Sequence, residues 1–261
     1  MKIFIEIQNL KYKDLFAEIT KFEKQNIVFT PNPEILLKIK SDEEFKNILL
    51  KADFLTSDGI LYIAYQILDN KFKFINFLLL PYFFFNLFFR RKYLYEKYDR
   101  ICGSDLTKDL LNFSEKNNVK ITIIDLYNPL DEKKVASQNI FEEKLKKKFP
   151  NLSFDYIIFN PEEKEKILEK IKASSSKIVF STLMKKQEES VIEVMENCKN
   201  IKLGLVGSSF DYFIGFQKRA PKIWRSLLEW FYRLLTPRKL DRIKRLYRAI
   251  FLFIFEVFKS K

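Results

Sequence analysis

Residues 119–160 read VKITIIDLYNPLDEKKVASQNIFEEKLKKKFPNLSFDYIIFN, and their pattern decides the fold class. VKITIIDL is a short β-branched run and FDYIIFN a short aromatic and β-branched one, each of strand length. Between them, DEKKVASQNIFEEKLKKKF is too long for a strand and is charged along most of its length, as a surface helix is. Strand, helix and strand in direct succession make one crossover unit of a parallel sheet.

The alternation extends in both directions. ADFLTSDG, SKIVFSTL and IKLGLVGSS read as further strands. SDEEFKNILLK, PEEKEKILEKIK and KKQEESVIEVMENC read as further helices. The opening MKIFIEIQNLKYKDLF reads as a strand followed by a helix; Glu6 interrupts its only apolar run, so it is not a secretory signal. This spacing predicts an α/β fold over residues 1–215: a mostly parallel, Rossmann-like sheet with helices on both faces. Ligands bind such sheets beyond the carboxyl ends of the strands. The loops to inspect are therefore Ser57-Asp58-Gly59, Asp125 to Leu130, Thr182 to Gln187 and Gly207 to Asp211.

Composition removes whole classes of chemistry. The 261 residues include no histidine, which excludes histidine triads, imidazole metal ligands and imidazole acid/base catalysis. Any general base must then be a carboxylate, and lysine, arginine and backbone amides must handle anions. Cys102 and Cys198 match no metal or redox spacing. Two lone thiols fit a reducing compartment, and a cytosolic location is the default expectation.

The formal net charge is +13, and residues 218–248 hold most of the excess, with eleven basic side chains against Glu229 and Asp241. A block of that kind faces a polyanion, either nucleic acid or anionic lipid head groups. KRAPKIWRSLLEWFYRLLTPRKLDRIKRLYRAIFLFIFEVF holds two amphipathic helices broken at Thr236-Pro237. Trp224, Trp230, Phe231, Phe251 and Phe253 interleave with the basic residues, a pattern that suits a bilayer interface better than a nucleic acid. Residues 216–261 are expected to form a basic, membrane-binding helical appendage.

Individual motifs carry little when taken alone. In FTPNPEILLK, Thr30 or Asn32 suits a helix cap and Pro33 its first turn; the functional alternative is a helix start that binds phosphate or a sugar hydroxyl. Asp58 stands where a general base would, and equally where a helix cap would. KKQEE at Lys185 to Glu189 has the ordinary look of a solvated helix start. GSSFD at Gly207 to Asp211 lacks both glycine-rich phosphate-loop patterns.

Order and spacing carry more. TPNPE, SDG, RICGSDL, KQE, GSSFD, QKRAP and LEWFYRLL follow one another between Phe29 and Leu235, and in that order they resemble the WecG/TagA/CpsF glycosyltransferase family. The resemblance implies transfer of a sugar, N-acetylmannosamine or a relative, from a UDP-sugar to a polyprenyl-diphosphate-linked sugar in surface-polysaccharide or glycolipid assembly. It implies no cofactor or metal, no nucleic-acid partner, and a peripheral position on the inner face of the plasma membrane; it leaves homo-oligomer formation open. By position, Asp58 matches the family's catalytic base, and Thr30 and Asn32 match residues lining its pocket. Arg100 matches an arginine near the donor phosphates, Gln187 the pocket glutamine, and Asp211 the aspartate of the glycine-rich block. Arg219, Arg225 and Arg233 match the appendage that grips the acceptor diphosphate. Leu183 and Lys185 replace a glycine and a proline of the family pattern, and DLYNPLDEKK replaces its glycine-rich turn. These departures support an alternative, a non-catalytic relative that binds lipid or a partner enzyme.

FLLLPYFFFNLFF, residues 77–89, followed by Arg90, Arg91 and Lys92, lies in a stretch of about 70–98 that is longer than the resemblance implies. Thirteen residues make a helix of about 20 Å, too short for about 30 Å of hydrocarbon. Two readings remain: buried core, or an interfacial element that sets Phe83, Phe84, Phe85, Phe88 and Phe89 into lipid with the basic residues at the head groups.

Overall fold

The structure is a computed structural model, and it describes residues 11–30, 42–56, 101–126, 132–159, 163–182, 202–205 and 209–213. Positions 63, 67, 78, 79, 81–83, 85, 86, 89, 90, 93, 94 and 97 are also described. Among the described residues the elements with defined bounds are, in order, α1 (Tyr12–Thr20), β1 (Asn26–Phe29), α2 (Glu43–Leu50), β2 (Phe54–Leu55), α3 (Gly103–Lys116), β3 (Ile121–Leu126), α4 (Glu132–Lys148), β4 (Phe154–Phe159), α5 (Lys164–Ala173), β5 (Ile178–Ser181), β6 (Lys202–Leu205) and α6 (Ser209–Phe213). The strands form one sheet in the order β2-β1-β6-β5-β3-β4, and every pairing in it is parallel.

The five strands expected from the runs are present. The strand β1, NIVF, is an addition, and it occupies the interior of the sheet between β2 and β6. The helices expected in SDEEFKNILLK, DEKKVASQNIFEEKLKKKF and PEEKEKILEKIK are α2, α4 and α5, and the one expected near the N-terminus is α1. The helix expected in KKQEESVIEVMENC, the first strand of the N-terminal segment and the appendage 216–261 lie outside the described residues.

Right-handed crossovers explain which helix covers which face. The steps from β2 to β3 and from β3 to β4 run one way along the sheet, and those from β1 to β2 and from β4 to β5 run the other. Accordingly α3 and α4 share one face, where Val28, Ile121, Ile123, Ile178 and Phe180 form a single core with Leu15 and Ile19 of α1, Leu110 of α3, Leu145 of α4 and Phe210 of α6. The alternate strand residues point to the other face. There Thr122 donates to Ser176 Oγ at 2.8 Å, beside the end of α5, and Phe45 and Leu49 of α2 are buried outside the first core. All four residues of β5 are buried, as a strand covered on both faces requires.

Local chemistry sets the element ends. Asp42 Oδ1 accepts the Phe45 N–H at 2.9 Å and so caps α2. The helices α1, α3 and α5 are each followed, one residue beyond the C-cap, by a residue in the left-handed region: Phe22 (φ 54°), Asn118 (φ 53°) and Ser175 (φ 52°). After α3 the Val119 N–H reaches back to Ser114 O at 2.8 Å, the six-to-one bond of a Schellman stop.

Tyr12 ties α1 to α3, its hydroxyl donating to Asp109 Oδ2 at 2.5 Å. Burial, and then the Asp109 bond, push the Tyr12 hydroxyl pKa well above its ordinary value. The folded chain therefore holds this proton more tightly than the unfolded chain. The resulting stability is fully present below the unfolded pKa of about 10 and declines as pH rises beyond it. Tyr12→Phe is expected to cost about 1–3 kcal/mol at neutral pH and to flatten the alkaline decline. Urea unfolding followed across pH 8–11 or so checks both effects.

Candidate active site

Six parallel strands place all their carboxyl ends on one edge. At β1 that edge begins with Thr30, which is half-buried. Next to it, Thr56 leaves β2; its N–H and hydroxyl both bond to Phe29 O, at 2.9 and 3.2 Å, and it is 2 % exposed. The helix α3 starts against the same point. A Cβ on Gly103 would fall 2.6 Å from Thr30 Oγ1 and 3.2 Å from Thr30 Cβ, so only glycine lets the two backbones approach this closely. Thr107 secures that first turn with a 2.7 Å bond to Gly103 O. Thr30, Thr56 and Gly103, from three stretches distant in sequence, thus meet where β1 and β2 end.

A second cluster sits at the ends of β3 and β5. Asp125 Oδ1 accepts the Thr182 hydroxyl at 2.7 Å, and Asp125 Oδ2 accepts the Tyr156 hydroxyl at 2.7 Å. The Thr182 N–H extends the ladder to Ile124 O at 3.0 Å. From β3 the chain turns toward β4 and from β5 toward β6, so these neighbours diverge at a topological switch point, where α/β sheets open their ligand crevice. Below lies an aromatic floor: Tyr156 against Phe141 at 4.6 Å between ring centroids, and Phe180 edge-on to Phe210 at 5.5 Å.

Of the residues expected at the site, Thr30 lies at the centre of the first cluster. Asp211 belongs to α6, which follows β6, the neighbour of β1. Asp58, Asn32, Arg100, Gln187, Arg219, Arg225 and Arg233 lie outside the described residues. Described neighbours flank three of them: Thr56 two positions before Asp58, Ile101 next to Arg100 and 1 % exposed, and Thr182 five positions before Gln187. The Tyr156–Asp125–Thr182 set was not singled out from sequence. Asp125 and Thr182 were marked only as loop starts, and Tyr156 joins them through the β3–β4 register, which sets it beside Ile123.

A parallel sheet that gathers hydroxyls, a carboxylate and a helix start along its carboxyl edge is the frame of an α/β enzyme. The chain belongs to the glycosyl transferase WecG/TagA/CpsF family, whose family model matches residues 1–74 and 88–261. Membership makes it a glycosyltransferase-family protein, with a sugar donor and an acceptor as substrates. The match passes over residues 75–87, INFLLLPYFFFNL.

The tight seat of Gly103 gives a direct test. Gly103→Ala drives a methyl into the stiff Thr30 side chain and is expected to destabilise the fold by about 1–3 kcal/mol. Thr30→Ala in that background removes the nearest atom and should restore part of the loss. Denaturant midpoints of the two single variants and the double variant measure it.

Proposed function

We propose that the protein transfers an N-acetylmannosamine-like sugar from a UDP-sugar to a polyprenyl-diphosphate-linked sugar at a membrane surface, with Asp58 as general base. The observation that carries this reading is the junction of Thr30, Thr56 and Gly103 on one edge of the sheet, in a chain of a glycosyltransferase family. Asp58 stands two residues beyond the buried, doubly bonded Thr56, and Arg100 three residues before Gly103. In a chain without histidine, a carboxylate at a strand's end is the natural base for a sugar hydroxyl.

In the proposed step Asp58 takes the proton of the acceptor hydroxyl, whose oxygen attacks the anomeric carbon of the donor. The bond from that carbon to the diphosphate breaks, and UDP leaves with the electron pair. The negative charge that develops needs fixed donors and cations. Arg100, with the amides at the start of α3, would supply them there. Thr30, Asn32, Gln187 and Asp211 would hold donor and acceptor hydroxyls. Arg219, Arg225 and Arg233, in the basic segment 216–261, would grip the acceptor diphosphate and bring the enzyme to anionic lipid.

The test supplies purified protein with a panel of UDP-sugars and a short-chain polyprenyl-diphosphate-sugar acceptor, and reads products by mass spectrometry. One donor is expected to yield a product longer by one sugar. Asp58→Asn should lower its rate about 10²–10⁴-fold with an unchanged thermal midpoint. An undiminished rate in Asp58→Asn would overturn the assignment of the base. Absence of product with every donor would favour the non-catalytic relative.

A further inference from the structure

The segment that the family match passes over has an inverted surface. Every described position from Leu78 to Phe89 is helical; Arg90, whose N–H bonds to Asn86 O at 2.9 Å, is not, and Tyr93 and Leu94 are helical again, with Leu94 N–H on Arg90 O at 3.2 Å. Leu78, Tyr82, Phe85, Phe89 and Tyr93 are 57, 45, 52, 76 and 44 % exposed. Leu78, Tyr82, Phe85 and Phe89, spaced four, three and four residues apart on that helix, form one stripe, and Tyr93 lies beyond the break at Arg90. Phe83, on the far side, is 5 % exposed and Asn86, at the stripe's flank, 2 %, which corrects the expectation that Phe83 enters lipid; Phe84 and Phe88 lie outside the described residues. Asn86, the polar residue within this run, points inward and donates to Tyr82 O at 2.8 Å. A helix facing water does the reverse.

We infer that the Leu78–Phe89 stripe is a lipid-inserting surface that seats the protein in the interface of an anionic bilayer. The chemistry around it selects that occupant. Leu78, Phe85 and Phe89 are wholly apolar, as acyl chains require, and Tyr82 among them carries an amphipathic ring that suits the boundary with the head groups. Arg90 and Lys97 are exposed beside it, and Arg91 and Lys92 follow in the chain, as head-group phosphates require. A second copy of the chain on the same stripe would instead bring these cations together. Among the described residues no helix is long and apolar enough to cross a membrane, so the stripe lies in the interface. From Lys97 to Gly103, which sits against Thr30, the chain spans at most about 20 Å. The inference stands on this surface and does not need the sugar-transfer reading.

Flotation of the full chain with vesicles of phosphatidylglycerol and phosphatidylcholine in equal parts tests it. Phe85→Ser/Phe89→Ser is expected to weaken vesicle partition at least tenfold, with unchanged circular dichroism. Phe89→Asp should do the same through head-group repulsion, and Phe89→Leu should retain binding. No binding by the parent chain, or equal binding by parent and double variant, would overturn the inference. So would a fall in oligomer mass, measured by light scattering, with vesicle binding unchanged, since that marks a protein interface. Sugar transfer to a short-chain, detergent-free acceptor, measured on the same samples, should persist in the double variant. Its absence in the parent counts against the proposed reaction and not against the stripe.

Discussion

Parallel pairing is the constraint on which the rest of the molecule depends. Once β1 lies between β2 and β6, and β3 between β4 and β5, all in one direction, the carboxyl ends of six strands must share one edge. Each return connection must then cross a face, and its handedness decides which. The two-sided cover, the burial of all of β5 and the meeting of Thr30, Thr56 and Gly103 follow from that choice. The edge is where a polar site costs least, because hydrogen bonding along the ladder ends there and strand-end groups are available to side chains and ligands.

Much of the architecture was legible because hydrophobic period and charge agree. In VKITIIDL and SKIVFSTL local preference and burial point the same way, and the charged DEKKVASQNIFEEKLKKKF lies between strands as a crossover helix should. The strand β1 was not legible: NIVF has four residues and opens with Asn26, which is fully buried although its type favours turns. The strand order was not legible either, since burial of alternate residues on both faces looks the same in any interior position. Inversion hid the aromatic segment. Apolar content suggested either core or lipid contact, and the burial of Phe83 and Asn86 against the exposure of Leu78, Phe85 and Phe89 separates the two sides.

The site divides in the same way. Motif order singles out Thr30 as a candidate, and the structure adds why RICGSDL carries a glycine: the start of α3 would otherwise collide with the residue that TPNPE begins with. The Tyr156–Asp125–Thr182 set depends on register across β4, β3 and β5, a long-range property with no local signature. Its two hydroxyl donors, Tyr156 and Thr182, fix the Asp125 carboxylate where adjacent strands part.

The helix stops have a consequence for the unfolded chain. With five glycines in 261 residues, the left-handed positions after α1, α3 and α5 fall to Phe22, Asn118 and Ser175. A side chain in that conformation costs about 1–2 kcal/mol, less for asparagine, whose short polar side chain suits it. Against this, a residue other than glycine restricts the denatured ensemble and returns about 0.4–1 kcal/mol. The two nearly cancel at Asn118. At Phe22 the local cost is larger, and the ring offsets it by packing against Phe113 at 6.1 Å between centroids. The scarcity of glycine thus shifts part of the fold's stability out of native contacts and into the reduced freedom of the disordered polypeptide.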